Sequence, residues 1–347
     1  MLNKVRVAVV GATGYGGAEL VRLLLGHTHV EIVAVTSSRA AGERLDIHCP
    51  WLRTDLVLSS FDPVTVSAEI VFLAQEHGFA FQHAPTLVER GIKVIDLSAD
   101  FRLRDNSVFN KYYQSNINFS YDNNRFSNGA SSFEVAYGLP ELANKDSIKN
   151  AQVIANPGCY PTATLLALKP LYQAGLVSAT PVIDAKSGVS GAGRAKNSSE
   201  YLFNERSGSF VAYGVTGHRH TPEISQGLGV PVRFTPHLIP TPRGMEVTCY
   251  VALDYQVSIE DVTSTSKSLY VGSPFVHVVN HLPETKHVIG TNRCDIAYAV
   301  DKETNFLIAT SVIDNLGKGA AGQAVQNMNI MCGFDETIGL PLHGVWP

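Results

Sequence analysis

The segment Ala155-Asn156-Pro157-Gly158-Cys159-Tyr160-Pro161-Thr162 places a thiol at a sharp turn. It lies between an apolar run, Gln152-Val153-Ile154-Ala155, and a helical pattern that begins near Ala163. Pro161 suits the first turn of that helix, where its missing N–H costs nothing, and the unpaired N–H groups around it carry partial positive charge. Such a setting lowers a cysteine pKa and populates the thiolate, the nucleophilic form. The competing reading of Cys159 is a small buried apolar side chain, since free cysteine is among the most buried residue types. A strand-to-helix turn normally presents its side chain to a cleft, which favours the nucleophile.

A nucleophilic thiol needs a proton acceptor, usually distant in sequence. Gly217-His218-Arg219-His220-Thr221-Pro222-Glu223-Ile224 offers two imidazoles and a carboxylate for acid/base work near neutrality. Structural or surface histidines are the alternative, and His237 is a competing candidate. A metal held by the His-x-His pair is disfavoured because no third or fourth ligand clusters nearby in the sequence. No metal is expected.

The third chemical signal is Gly11-Ala12-Thr13-Gly14-Tyr15-Gly16-Gly17. It follows the apolar strand Val5-Arg6-Val7-Ala8-Val9-Val10 and precedes the helical Ala18 to Leu25. Strand, glycine turn and helix in that order form a dinucleotide site, with backbone N–H groups and the helix N-terminus facing a pyrophosphate. The spacing is G-x-x-G-x-x-G, a variant of the more familiar fingerprint. A second strand, Glu31 to Thr36, ends in Ser37-Ser38-Arg39 where an acidic residue would bond a ribose 2′-hydroxyl. A cation and two hydroxyls suit a 2′-phosphate, so NADP is expected over NAD.

Positioning these groups requires an α/β scaffold. Strands at Glu69–Ala74 and Lys93–Leu97 flank a helix at Phe79–Arg90, which implies a parallel doubly wound (Rossmann) sheet. Residues 105–132 are rich in Asn, Ser, Tyr and Phe with little periodicity and read as a long irregular excursion. Strands at Pro181–Ala185, Glu246–Val251 and Phe306–Val312, a helix at Ile259–Val271 and a glycine-rich loop at Ser187–Arg194 suggest an α+β second domain with a mixed sheet. The expected division is residues 1–158 for nucleotide binding, 159–313 for catalysis and dimerisation, and 314–347 for a tail. A helix near Lys318–Met331, rich in small residues, is expected to return that tail to the first domain.

The 347 residues suffice for two domains, and 45% hydrophobic with 17% charged residues describes a globular chain. A net charge of −4 gives no basic footprint for nucleic acid, and no apolar run is long enough to span a membrane. Five cysteines at scattered positions show neither a disulfide framework nor CxxC spacing, and the start leads directly into a strand, so a reducing cytoplasm is expected.

Six motifs in order resemble the N-acetyl-γ-glutamyl-phosphate reductases, NADP-dependent enzymes of arginine biosynthesis grouped with the aspartate-semialdehyde dehydrogenases. They are Gly11–Gly17, Asp96–Arg102, Tyr137–Glu141, Asn156–Thr162, His218–Glu223 and Gly317–Gln323. The resemblance implies Cys159 as a nucleophile that forms a thioester with an acyl phosphate, which hydride from NADPH then reduces to an aldehyde. It implies His218 as the catalytic base, with a protonated His218 helping to hold the oxyanion. Gly11, Thr13, Gly14, Tyr15, Gly16, Gly17, Ser37, Ser38, Arg39, Ser187, Gly188 and Asn315 are expected at the cofactor. Arg102, Arg194, His220 and Glu223 are expected on the substrate side, with structural ion pairing the alternative for both arginines. A homodimer or homotetramer is expected. Residues 114–132 depart from the family pattern. Two other readings stand beside this one: a sister reductase acting on an aminoadipyl phosphate, and a non-catalytic NADP-binding sensor.

Overall fold

The computed structural model describes residues 4–194, 203–253 and 255–345. It divides into two compact units, residues 1–157 with 320–340, and residues 158–319 with 341–347. The chain therefore leaves the first unit just before Gly158 and re-enters it at Ala320.

The first unit carries strands β1 (Val5–Val10), β2 (Val30–Thr36), β3 (Leu58–Ser59), β4 (Ile70–Leu73), β5 (Lys93–Asp96), β6 (Ser120–Asp122), β7 (Arg125–Ser127), β8 (Ser132–Tyr137) and β9 (Val153–Ala155). They form one sheet in the order β3-β2-β1-β4-β5-β9-β8-β7-β6. Pairing is parallel from β3 through β8, and β7 and β6 then run antiparallel at the edge. The parallel strands read as continuous apolar runs because both faces are covered; β4 is buried along its whole length. Helices α1 (Tyr15–Leu25), α2 (Leu45–His48), α3 (Phe79–Glu89), α4 (Asn106–Tyr113) and α5 (Lys145–Asn150) complete this unit, together with the last helix.

Residues 105–137 correct the expectation of an irregular excursion. Asp105 caps α4 by accepting from the N–H groups of Ser107 and Val108, and Gln114 closes the helix in the left-handed region at φ +51°. A hairpin then adds β6 and β7 to the sheet, with Arg125 opposite Glu134. Phe101, Phe109, Phe119, Phe126 and Phe133 bury one joint cluster, in which the Phe126 and Phe133 rings stack at 5.1 Å. β6 and β7 have three residues each, too few to show alternation, so the pattern was hidden while the aromatic anchors were present.

The second unit carries β10 (Val182–Gly188), β11 (Val211–Ala212), β12 (Arg233–Ile239), β13 (Met245–Ala252), β14 (Val276–Val278), β15 (Cys294–Asp301) and β16 (Phe306–Ile313). Their order is β11-β12-β10-β13-β16-β15-β14. β10 pairs parallel with β12 and antiparallel with β13, so the sheet is mixed. Its helices are α6 (Cys159–Gln173), α7 (Phe203–Arg206), α8 (His220–Leu228) and α9 (Ile259–Leu269). β10 runs on through Ser187 and Gly188, two residues expected in the loop.

α6 is the central helix of this unit, packed on α8, α9, β13 and β16. Pro170 lies inside it, and a proline there cannot bond the carbonyl four residues back, that of Leu166. The Tyr270 hydroxyl donates to that carbonyl, and Tyr298 donates to the next one, Ala167. A buried helix with an internal proline thus keeps its carbonyls satisfied.

The tail expected to begin at residue 314 stays in the second unit through Gly319. Asp314 accepts from the N–H groups of Leu316, Gly317 and Gly290 and pairs with Arg243 at 3.0 Å. A wide π-type turn, Gly317–Ala321, then leads into α10 (Gly322–Cys332), which packs on α1, α5 and β5. Among the described residues no helix is long and apolar enough to cross a membrane.

Phe126 is 1% exposed at the middle of the aromatic cluster. Phe126→Ala should lower unfolding stability by about 3–5 kcal/mol, read from denaturant titration. A loss near zero would mean that the hairpin is not packed as described.

Candidate active site

In the first unit the glycine loop is shaped by close approach. Gly11 has φ +91°, and a Cβ there would lie 2.3 Å from the Ala74 carbonyl oxygen; at Gly17 it would lie 2.1 Å from the Gly11 oxygen. Both positions exclude any side chain, the first for the turn and the second for helix-to-strand packing. Gly14 is the N-cap of α1, and no side chain caps that end or places an acid in its first turn. Around Gly16 a Cβ would meet nothing within 4 Å. The first N–H groups of α1 are thus left for an anion. The Thr13 and Ser37 hydroxyls lie 3.3 Å apart and tie the loop to the end of β2, while Ser38 and Arg39 are exposed beside it. This donor set fits the pyrophosphate and 2′-phosphate of a dinucleotide.

Asp96, at the end of β5, and Asp100 are fully buried. Asp96 accepts from the Ser98 N–H and hydroxyl, and Asp100 accepts from the N–H groups of Gly78 and Phe81 at the start of α3. Burial raises the pKa of both carboxyls, and for Asp96 the Asp100 charge adds to it. Arg102 was expected near substrate, but its guanidinium donates to the Asn156 and Leu97 carbonyls at 2.7 and 2.8 Å and is buried. It splices the ends of two strands.

In the second unit Cys159 is the first residue of α6, with extended Gly158 as its N-cap and no acid in the first turn. The Gly158 N–H donates to Glu223 Oε1 at 2.9 Å, and Glu223 is 2% exposed. A Cβ on Gly158 would lie 2.5 Å from His220 Nε2, and a Cβ on Gly319 would lie 2.8 Å from the Cys159 Cβ. The thiol therefore sits between two glycines that are required by contact. The His-Arg-His segment reaches this turn through His220, the first residue of α8.

His218 lies behind it, ringed by Tyr160, Tyr213, Phe234 and His220 with centroids 5.0–5.7 Å away. Its Nδ1 accepts from the His220 N–H at 3.1 Å, which leaves the ring proton on Nε2. Burial, aided by the Arg219 charge, pushes its pKa down to about 4. In the resting site His218 is therefore held toward the neutral imidazole, because the surrounding rings cannot replace the water an imidazolium would lose and Arg219 repels it. Tyr213 donates to the Tyr160 hydroxyl at 3.2 Å, and burial drives the Tyr160 pKa strongly upward.

Ser187 is 2% exposed and donates to the Gly188 carbonyl, while a Cβ on Gly188 would meet the Thr241 oxygen at 2.8 Å. Asn315 accepts from the Gly244 N–H and donates to the Ser190 hydroxyl, both at 2.9 Å. These three expected cofactor residues make contacts that hold the second unit's own loops. Arg194 is exposed, and residues 195–202 beyond it lie outside the described residues. His237, the competing histidine, has its Nδ1 against the Ala185 carbonyl and the Asp184 carboxylate, 3.2 and 3.3 Å away. Sequence reasoning missed Tyr213 and Phe234, whose only signal was proximity to motifs already marked, while Gly319 lay inside the marked Gly317–Gln323 motif with no role at the thiol assigned to it. Among the described residues no group of three His, Cys, Asp or Glu side chains is placed to hold a metal.

Comparison with known proteins agrees with both units. Residues 6–151 match the family model of the semialdehyde dehydrogenase NAD binding domain, and residues 159–315 match that of the semialdehyde dehydrogenase dimerisation domain. The N-acetyl-gamma-glutamyl-phosphate reductase of Moorella thermoacetica is 44% identical, covering 99% of this chain and 100% of its own length. That of Brevibacillus brevis is 45% identical over the same shares. Among solved structures, aspartate semialdehyde dehydrogenase II of Vibrio cholerae, complexed with ASA, aligns with a TM-score of 0.70 at 19% identity over 95% of this chain and 99% of that one. The NADP-bound aspartate semialdehyde dehydrogenase of Candida albicans aligns with a TM-score of 0.67 at 16% identity over 97% and 100%. The structural likeness gives the fold and the sequence identity gives the narrower group: this chain belongs to the N-acetyl-γ-glutamyl-phosphate reductases of the semialdehyde dehydrogenase family.

Proposed function

We propose that this protein reduces N-acetyl-γ-glutamyl phosphate to N-acetylglutamate semialdehyde with release of phosphate, a step of arginine biosynthesis, and that Cys159 is its nucleophile. The observation that carries the reading is the placement of Cys159. It opens a buried helix whose first turn holds no acid, with His220 and Glu223 against the residue before it. The first N–H groups of α6 favour negative charge at the thiol and at an oxyanion formed beside it.

In the acylation step the Cys159 sulfur attacks the acyl phosphate carbon, the carbon–oxygen bond to phosphate breaks, and the acyl group is left as a thioester. His220, whose ring lies against Gly158, takes the thiol proton in this reading, a role the sequence reading gave to His218. His218 enters as a neutral imidazole whose Nε2–H is a hydrogen-bond donor for the oxyanion, not as a stored cation. NADPH, when bound, supplies the hydride that takes the acyl group to the aldehyde level. The α1 N-terminus with Gly14, Tyr15, Gly16 and Gly17 would hold its pyrophosphate, and Ser37, Ser38 and Arg39 its 2′-phosphate. The match to a dimerisation domain supports a homo-oligomer. Five free cysteines suit a reducing cytoplasm.

Cys159→Ala should abolish steady-state turnover while leaving NADPH binding, read by fluorescence titration, within about threefold of wild type; residual turnover above about 1% would rule out the covalent route. Arg39→Glu should weaken NADPH by about tenfold or more and change NADH little, since one charge-assisted contact to phosphate is at stake. Equal effects on the two cofactors would remove Arg39 from the 2′-phosphate site.

A further inference from the structure

Glu223 was expected at the substrate, yet it is 2% exposed and turned toward the chain itself. Its Oε1 accepts from the N–H of Gly158, a residue 65 positions away and immediately before Cys159. A buried carboxylate at the N-terminus of α6 does two things at once. It ties α8, and with it His220, to the nucleophile's turn, and it places an anion where the helix field would otherwise favour only the thiolate.

We propose that Glu223 is a positioning residue for Cys159: it fixes the turn that presents the thiol and opposes ionisation of that thiol until a proton acceptor and substrate are in place. The inference rests on Cys159 being the nucleophile. A buried carboxylate bonded to the residue just before the sulfur disfavours a second negative charge there, while the helix N–H groups favour it. The balance keeps a reactive sulfur from standing permanently as thiolate, where oxidation begins. The other titratable or charged groups of this region are His218 and Arg219 ahead of α8, His220 on it, Tyr160 and Tyr213, and Asp314 and Lys318 in the segment carrying Gly319.

The test compares wild type, Glu223→Gln and Glu223→Asp by the pH profile of Cys159 alkylation with iodoacetamide. Peptide mapping by mass spectrometry separates Cys159 from the half-buried Cys332. Gln keeps an oxygen for the Gly158 N–H but removes the charge, so alkylation of Cys159 at pH 7 should rise about three- to tenfold and its midpoint should move to lower pH. The acid limb of kcat/KM should move the same way. Asp keeps the charge but withdraws it by one methylene, so its alkylation profile should stay near wild type while kcat falls at least tenfold. A Gln variant that melts and binds NADPH like wild type yet alkylates with an unshifted profile, or more slowly, overturns the proposal. So does an Asp variant with wild-type kcat. If alkylation of Cys159 leaves turnover intact, the covalent reading fails instead, whatever the profiles show.

Discussion

The arrangement in the second unit depends on how closely α8 approaches the start of α6 at Gly158. Any Cβ there would displace the His220 ring, which occupies the place of a side chain. The same backbone unit gives its N–H to Glu223, so one residue is held by a steric exclusion and by a hydrogen bond from the same helix. On the other side Gly319 lets the turn after Asp314 touch the Cys159 Cβ. The sulfur is thus located by backbone on two sides and by α6 itself behind. α6 is braced in turn, since Tyr270 and Tyr298 take the carbonyls that Pro170 and its helix end would leave exposed to apolar surroundings.

The first unit uses missing side chains in the same way for a different purpose. Gly11 and Gly17 bring the loop, β1 and α1 into contact and leave the helix N-terminus bare, which makes an anion site without a single cation inside it. Charge is added only at the rim, by exposed Arg39. Deep in the unit the pattern reverses. Asp96 and Asp100 are acids that burial holds toward the protonated form, and Asp100 bridges N–H groups of α3 as a cap. Buried carboxyls hold backbone together here, while ligand-facing charge stays at the surface.

These differences explain what could be read from the chain alone. The glycine loop, the thiol at a helix start and the two histidines were legible because each is a local pattern with a local physical cause. Residues 105–132 were not, because β6 and β7 are too short for periodicity and the stretch is ordered by phenylalanines that meet only in three dimensions. The same holds for the box around His218: Tyr213 lies shortly before the His-Arg-His segment and Phe234 on β12, and neither carries a pattern of its own that marks it as part of the box. Arg102, Ser187 and Asn315 carried polar groups suited to a ligand, but each bonds groups inside its own unit. A residue type states what a side chain can bond, and burial decides what remains for it to bond.

The neutral state of His218 follows from that competition and constrains the chemistry. An imidazolium in its place would draw an anionic substrate, but four surrounding rings cannot replace the water it would lose. The aromatic box therefore stores orientation, not charge. The N–H groups of α6 contribute positive potential at Cys159 with no desolvation penalty, because they are dipoles fixed by the fold. A field of that kind cannot be titrated away, and the buried Glu223 carboxylate stands at the same helix start, bonded to the Gly158 N–H.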